Sequence, residues 1–179
     1  MSKTEQAVFG GGCFWCTEAI YKRVKGVQQV EPGYAGGHNA HPTYQLVCSG
    51  TTGHAEVVRV TFDPDQISYK DLVDIFWYAH DPTTLNCQGN DIGTQYRSII
   101  LTLNEEQRLI AERSLQEVSE GGMFRKPIVT VIEALETFYP AENYHFDYFA
   151  SNPNQPYCRA VIAPKIQHFL EAYQADEKA

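Results

Sequence analysis

Apolar and polar positions along the chain change period several times, and each change predicts an element. AVFGG at residues 7–11 is a short apolar run ending in glycine, which reads as a strand entering a turn. CFWCTEAIYKRV (13–24) sets Cys16, Ile20 and Val24 four apart, the spacing of one helical face. AEVVRVTF (55–62) alternates with period two and predicts a half-buried strand. SYKDLVDIFWYA (68–79) begins with Ser68 and Asp71 in a capping arrangement, so a helix is expected there. YRSIILTL (96–103) predicts a further strand, followed by a helix from Asn104 to Glu120 that stops at Gly121 and Gly122. PIVTVIEAL (127–135) reads as a fourth long strand and APKIQHFLEAY (163–173) as a closing helix.

Three long segments lack a clear period: 32–54, 80–95 and 136–158. The first two carry most of the glycine and histidine, the third is rich in aromatics, and loops of such length tend to be functional. The alternating elements predict an α/β (α+β) two-layer sandwich, with helices packed on a mixed, largely antiparallel sheet and a ferredoxin-like core. The chain has 179 residues, 43% of them hydrophobic, and no repeat or low-complexity tract. One domain spanning 1–179 is expected.

Charge narrows the partners. The net charge of −8, with no run of lysine or arginine, argues against binding nucleic acid or an anionic membrane. MSKTEQ lacks the pattern of a signal peptide and no apolar run approaches a membrane span, so a cytoplasmic protein is expected. Five cysteines, an odd and scattered set, do not form the framework of a stapled secreted domain.

The stretch GGGCFWCTE (10–18) gives those thiols a chemistry. If a strand ends at the glycines and a helix starts near residue 13, Cys13 lies where free backbone N–H groups and the helix dipole favour a thiolate. Phe14 and Trp15 beside it offer an apolar wall suited to a methyl group. The plainer alternative is a buried thiol at a tight turn. Cys16 completes a CxxC pair but also lies on the apolar stripe with Ile20 and Val24, which favours core packing. Zinc is disfavoured because the histidines and remaining cysteines form no second closely spaced ligand pair.

Glu56 shares a strand face with Val58, Val60 and Phe62. A carboxyl group there is desolvated and stays protonated, unless it sits at an exposed strand end. In GNDIGTQYRS (89–98) and PTYQLV (42–47), Tyr96 and Tyr44 can donate hydrogen bonds and Asp91 can orient a neighbour. The aromatic FYPAENYHFDYF (138–149) reads as core and loop packing.

Taken together, GCFW (12–15), GHAEVV (53–58), HDPTTLN (80–86), GNDIGTQYRS (89–98) and YPAENYHFDY (139–148) resemble the type A peptide methionine sulfoxide reductases. The resemblance covers residues 7–160. It implies a nucleophile at Cys13, a substrate-methyl pocket at Phe14 and Trp15, an acid at Glu56, oxygen-binding phenols at Tyr44 and Tyr96, and a supporting Asp91. It also implies reduction of methionine-S-sulfoxide, free or in protein, through a sulfenic acid on Cys13. No bound cofactor is implied, and thioredoxin is the external dithiol.

Departures from the family concern recycling. Cys16 and Cys87 stand where many members have glycine and arginine, and Tyr157–Cys158 leads into an ordered segment instead of a glycine-rich tail. Cys158 ranks first as the resolving thiol, Cys16 second and Cys87 third; Cys48 is expected to be inert. The competing readings are a thioredoxin-like thiol–disulfide oxidoreductase using Cys13 and Cys16, and a redox-sensing or zinc-binding module.

Overall fold

A computed structural model describes residues 3–178, with side chains characterised through 173. In chain order the elements are β1 (Glu5–Gly10), α1 (Phe14–Tyr21), β2 (Val27–Ala35), α2 (Tyr44–Cys48), β3 (Ala55–Phe62), α3 (Tyr69–Ala79), β4 (Cys87–Gln88) and β5 (Asp91–Ile92). There follow β6 (Ile99–Thr102), α4 (Glu105–Glu120), β7 (Val131–Ala134), β8 (Tyr139–Pro140), α5 (Tyr148–Ser151) and α6 (Ala163–Lys178).

Six strands form one sheet in the order β7-β6-β1-β3-β2-β8. Its four central strands, β6-β1-β3-β2, pair antiparallel and arise from a β1-α1-β2-β3-α3-β6 succession, which is the ferredoxin-like topology. β7 adds to one edge in parallel and β8 to the other antiparallel, making the sheet mixed but mainly antiparallel, as expected. Alternation sorts the strand residues. Phe9, Val58, Val60, Phe62 and Ile100 join the main core with residues of the helices, whereas Val8, Val57, Ile99 and Leu101 form a smaller cluster. Phe9 stacks on Tyr21 and Phe76 with ring centroids 5.3 Å from each, locking β1 to α1 and α3. Burial of each such ring stabilises the fold by about 1.5–3 kcal/mol.

Helix signals in the sequence match the structure closely. Ser68 accepts the Asp71 N–H at 3.0 Å while the Asp71 carboxylate accepts the Ser68 N–H at 3.3 Å, completing the expected capping box. Asn104 caps α4, and Gly122 takes φ +74° after it.

The strands differ more. β2 lies partly in the segment 32–54 expected to be loop: Pro32 and Gly33 interrupt its alternation, yet pairing along β3 and burial of Pro32–Ala35 hold it extended. Of the strand expected at 127–135 only 131–134 joins the sheet, because the Val129 N–H bonds to the Pro82 carbonyl at 2.8 Å instead. Likewise Tyr96 belongs to a 3-10 turn over Thr94–Tyr96, ahead of β6.

Candidate active site

β1 delivers the chain to the site and two glycines turn it. A side chain on Gly11 would stand 2.6 Å from the His80 ring, and Gly12 has φ +83° with Gln88 at 2.8 Å from any added Cβ. Only glycine fits this close approach. The Gly12 N–H then bonds the Tyr96 carbonyl at 3.1 Å, which ties the turn to the Tyr96 segment.

Cys13 follows as the N-cap residue of α1, one position before the helical turn expected for it, and is 6% exposed. The first helical N–H, that of Phe14, goes to Glu56 Oε1 at 3.1 Å, so the helix terminus acts first on the carboxyl group. Burial pushes the Cys13 thiol well up, and its hydrogen bond with Cys16 and the Glu56 charge push the same way; the Trp15 N–H opposes them. These act against the thiolate that the helix start favours at Cys13. Burial outweighs the helix end, whose leading N–H the carboxyl group occupies.

Glu56 occupies the buried face that alternation assigned to it and is 1% exposed. Burial pushes its carboxyl up to about 8, against the Phe14 N–H and with help from the charges of Asp91 and Cys16. Its Oε2 has no partner among the described residues. Tyr44 and Tyr96 complete this quarter of the site. Burial, then the Glu56 charge, pushes both phenols up, so each remains a hydrogen-bond donor.

Cys16 packs in the main core, as its place on the apolar stripe implies, and there meets Cys13. It is 2% exposed, accepts the hydrogen bond of Cys13, and is lowered by that bond first, against burial, with Lys165 and the Tyr157 hydroxyl acting the same way. The Tyr157 hydroxyl, on a phenol that the sequence left unassigned, donates to Asp91 Oδ2 at 2.5 Å, and the Asp91 charge itself pushes Cys16 up.

Aromatic side chains pack around Phe14 and Trp15. Phe14 is fully buried, with ring centroids 5.7 Å from Tyr34, 6.4 Å from Tyr44 and 5.0 Å from His145. Trp15 stacks on Tyr148 at 3.8 Å and donates its indole N–H to His145 Nδ1 at 3.0 Å. Part of FYPAENYHFDYF therefore packs as expected, and does so on Phe14 and Trp15, the residues beside Cys13. Glu142 in the same stretch accepts the Tyr34 hydroxyl at 2.8 Å and the Tyr44 N–H at 3.0 Å, fixing the phenol's helix. Glu18 accepts the Asp147 N–H at 3.0 Å and Lys22 pairs with Asp147, docking this segment on α1. The signal available in sequence was the motif itself; the partners are about a hundred or more residues apart.

The other thiols divide by burial. Cys158 is fully buried in a π-helical turn over Cys158–Ile162, and burial followed by the Cys16 charge pushes its thiol up. Cys87 is half-buried on β4, paired with Ile92 of β5. Cys48 is exposed at the end of α2 yet hydrogen-bonds the Tyr44 and Tyr96 phenols. Among the described residues no group of three or more His, Cys, Asp or Glu side chains is placed to hold a metal ion.

Comparison with known proteins decides the family. The sequence model of the peptide methionine sulfoxide reductases matches residues 5–178. The chain belongs to the peptide methionine sulfoxide reductase family. Peptide methionine sulfoxide reductase MsrA of Saccharolobus solfataricus is 57% identical over 169 residues, 94% of each chain. That of Nautilia profundicola is 53% identical over 173 residues, 97% of this chain and 98% of its own. Among solved structures, reduced Mxr1 from Saccharomyces cerevisiae superposes with a TM-score of 0.81 at 35% identity, covering 87% of this chain and 90% of that one. Methionine sulfoxide reductase A of Corynebacterium diphtheriae gives 0.75 at 37% identity, covering 85% and 76%. Membership makes the protein an oxidoreductase of methionine sulfoxide and disfavours the disulfide-exchange and zinc-module readings.

Proposed function

We propose that residues 1–179 form one catalytic domain that reduces the S epimer of methionine sulfoxide, free or in protein, with Cys13 as nucleophile and Glu56 as acid. The observation that carries this is the Glu56 carboxyl group, buried and bonded to the N–H of the residue after Cys13, where burial pushes it up to about 8.

Glu56 and Cys13 share one proton in the reactive form, with the acid protonated and the sulfur anionic. Cys13 Sγ bonds the sulfoxide sulfur while the sulfoxide oxygen takes the proton from Glu56, steadied by Tyr44 and Tyr96. Oxygen then passes to Cys13 and methionine leaves. The substrate sulfur gains two electrons, Cys13 loses two and becomes a sulfenic acid, and Glu56 is left as carboxylate. Phe14 and Trp15, the latter held by His145 and Tyr148, supply an apolar seat for the methyl group. Asp91 accepts the Tyr157 hydroxyl and so orients that phenol beside the thiols.

Cys16 is the first resolving thiol. Its hydrogen bond with Cys13, and the Lys165 and Tyr157 interactions that lower it, support it ahead of Cys158, whose complete burial requires the 158–162 turn to open. Cys87 ranks third. Attack by Cys16 sulfur on the sulfenic sulfur expels water and leaves a disulfide. An external dithiol then reduces it; Mxr1 has been crystallised in complex with Trx2, which supports a thioredoxin in this role. No bound cofactor enters the scheme. Among the described residues no helix is long and apolar enough to cross a membrane, and dithiol recycling suits a cytoplasmic location. The test is an assay on the two separated sulfoxide epimers with the wild type, Cys13→Ser and Glu56→Gln. Consumption of the S epimer alone is expected, and equal consumption of both would overturn the proposal.

A further inference from the structure

Behind the nucleophile's turn lies a second cavity, of about 730 Å³, that no step of the proposed reaction uses. Its lining includes His80 and Gln88, the two side chains against which Gly11 and Gly12 rest. Phe124, Arg125 and Lys126 from the segment after α4, and Lys165 from α6, contribute further wall. A space of this size falls within the range of roughly 300–1,000 Å³ that encloses small organic molecules.

The cavity is cationic in a chain that is acidic overall, with 14 Lys and Arg against 22 Asp and Glu. Arg125, Lys126 and Lys165 share its wall with a single carboxylate, Asp81. That carboxylate is engaged locally, its Oδ1 accepting the Thr83 N–H at 2.9 Å and the Thr83 hydroxyl at 2.6 Å. None of the three cations has a carboxylate within 4.0 Å among the described residues. Beside them Met123, 41% exposed, and half-buried Phe124 present apolar surface. Unpaired cations next to an apolar wall, inside a cleft, fit a ligand with an anionic head and an apolar body.

We propose that this cavity binds a small amphipathic organic anion, a carboxylate, sulfonate or phosphate ester bearing an aromatic or branched apolar group, at a site separate from the sulfoxide pocket. The ligand lies against the buttress of the nucleophile's turn and meets Lys165, whose charge also reaches Cys16. Occupancy therefore draws that charge away and slows regeneration of Cys13. This regulatory half rests on Cys16 as the resolving thiol; the binding does not.

The probe is anilinonaphthalene sulfonate, a fluorescent aromatic anion, titrated into the reduced full chain alongside its neutral counterpart phenylnaphthylamine. One equivalent of the anion is expected to bind, more weakly as salt rises. The pair Lys126→Met and Lys165→Met, which keeps the apolar stems, should weaken it about tenfold or more without affecting the neutral probe. Should that pair fail to fold, Lys126→Met alone, at an exposed position, is expected to weaken the anion about threefold. Excess methionine sulfoxide should leave the anion bound, and saturating anion should slow dithiol regeneration severalfold. Absence of one-to-one binding, affinity indifferent to the substitutions, or displacement by methionine sulfoxide would overturn the site. Unchanged regeneration with the probe bound would overturn its regulatory half while leaving the reductase reading intact.

Discussion

The attacking and recycling groups of this site meet within one pocket but rest on different foundations. Glu56 sits near the start of β3 and Cys13 just past the glycine turn that ends β1, its neighbour in the middle of the sheet, and the N–H of Phe14, the residue after Cys13, bonds Glu56. Cys16, Tyr157 and Cys158 instead sit on α1 and on the turn leading into α6. A strand register fixes the first group to within a hydrogen bond, since a slip of one residue would turn Glu56 to the other face. Helix packing and a π turn hold the second, where one opening of the turn would change which thiols can meet. The difference separates the chemistry into a half that needs rigid placement and a half that needs thiols to change partners.

Substitutions can break that division in order of severity. Cys13→Ser removes the nucleophile and should abolish even the first turnover, measured as methionine formed per enzyme without reductant. Glu56→Gln keeps shape but not the proton, and a first-turnover rate about 10²–10⁴-fold lower is expected. The same variant should be more stable than wild type at pH 8. Folding raises the Glu56 pKa to about 8, so between the unfolded carboxylate value and 8 the native state binds more protons and stability falls as pH rises. Thermal unfolding against pH measures this: the glutamine variant should have a shallower slope throughout, with Glu18, raised to about 7, supplying what remains below that pH.

Cys16→Ser sharpens the comparison from the other side. Its first turnover should match wild type, whereas steady turnover with a dithiol should fall about tenfold or more, and Cys13 sulfenate should accumulate. An undiminished steady rate would move the resolving role to Cys158 or Cys87. Tyr157→Phe removes one hydroxyl from Asp91 and Cys16 and should slow recycling by about 2–10-fold, the loss of one hydrogen bond, while sparing the first turnover.

Legibility in the sequence followed the same division. Period-two alternation was enough to put Glu56 on the buried face, and the Ser68–Asp71 box and Asn104 marked two helices. Those signals are local, and local signals survive folding. Cys16 is in the core, as its helical stripe implies, but a stripe reports which face is buried without saying what it meets, here the Cys13 thiol and the Tyr157 hydroxyl. His145, Tyr148 and Glu142 were hidden for the same reason: the Trp15 indole finds His145 across 130 residues. The upward push on the Cys13 thiol is not legible because the sequence shows a helix start but neither the burial of the thiol nor the carboxyl group that takes the first N–H. β2 escaped because Pro32 and Gly33 argue against a strand until β3 is there to pair with it.

The most direct measurement of the central claim is the infrared carboxylic-acid band of Glu56, obtained as the difference between wild type and Glu56→Gln across pH; subtraction removes the other raised carboxyl group, Glu18. The account predicts a protonated-acid band present at pH 6 and disappearing as pH passes about 8. Its disappearance near the ordinary carboxylate value of about 4.3 would show Glu56 ionised where the enzyme works and contradict its role as proton donor.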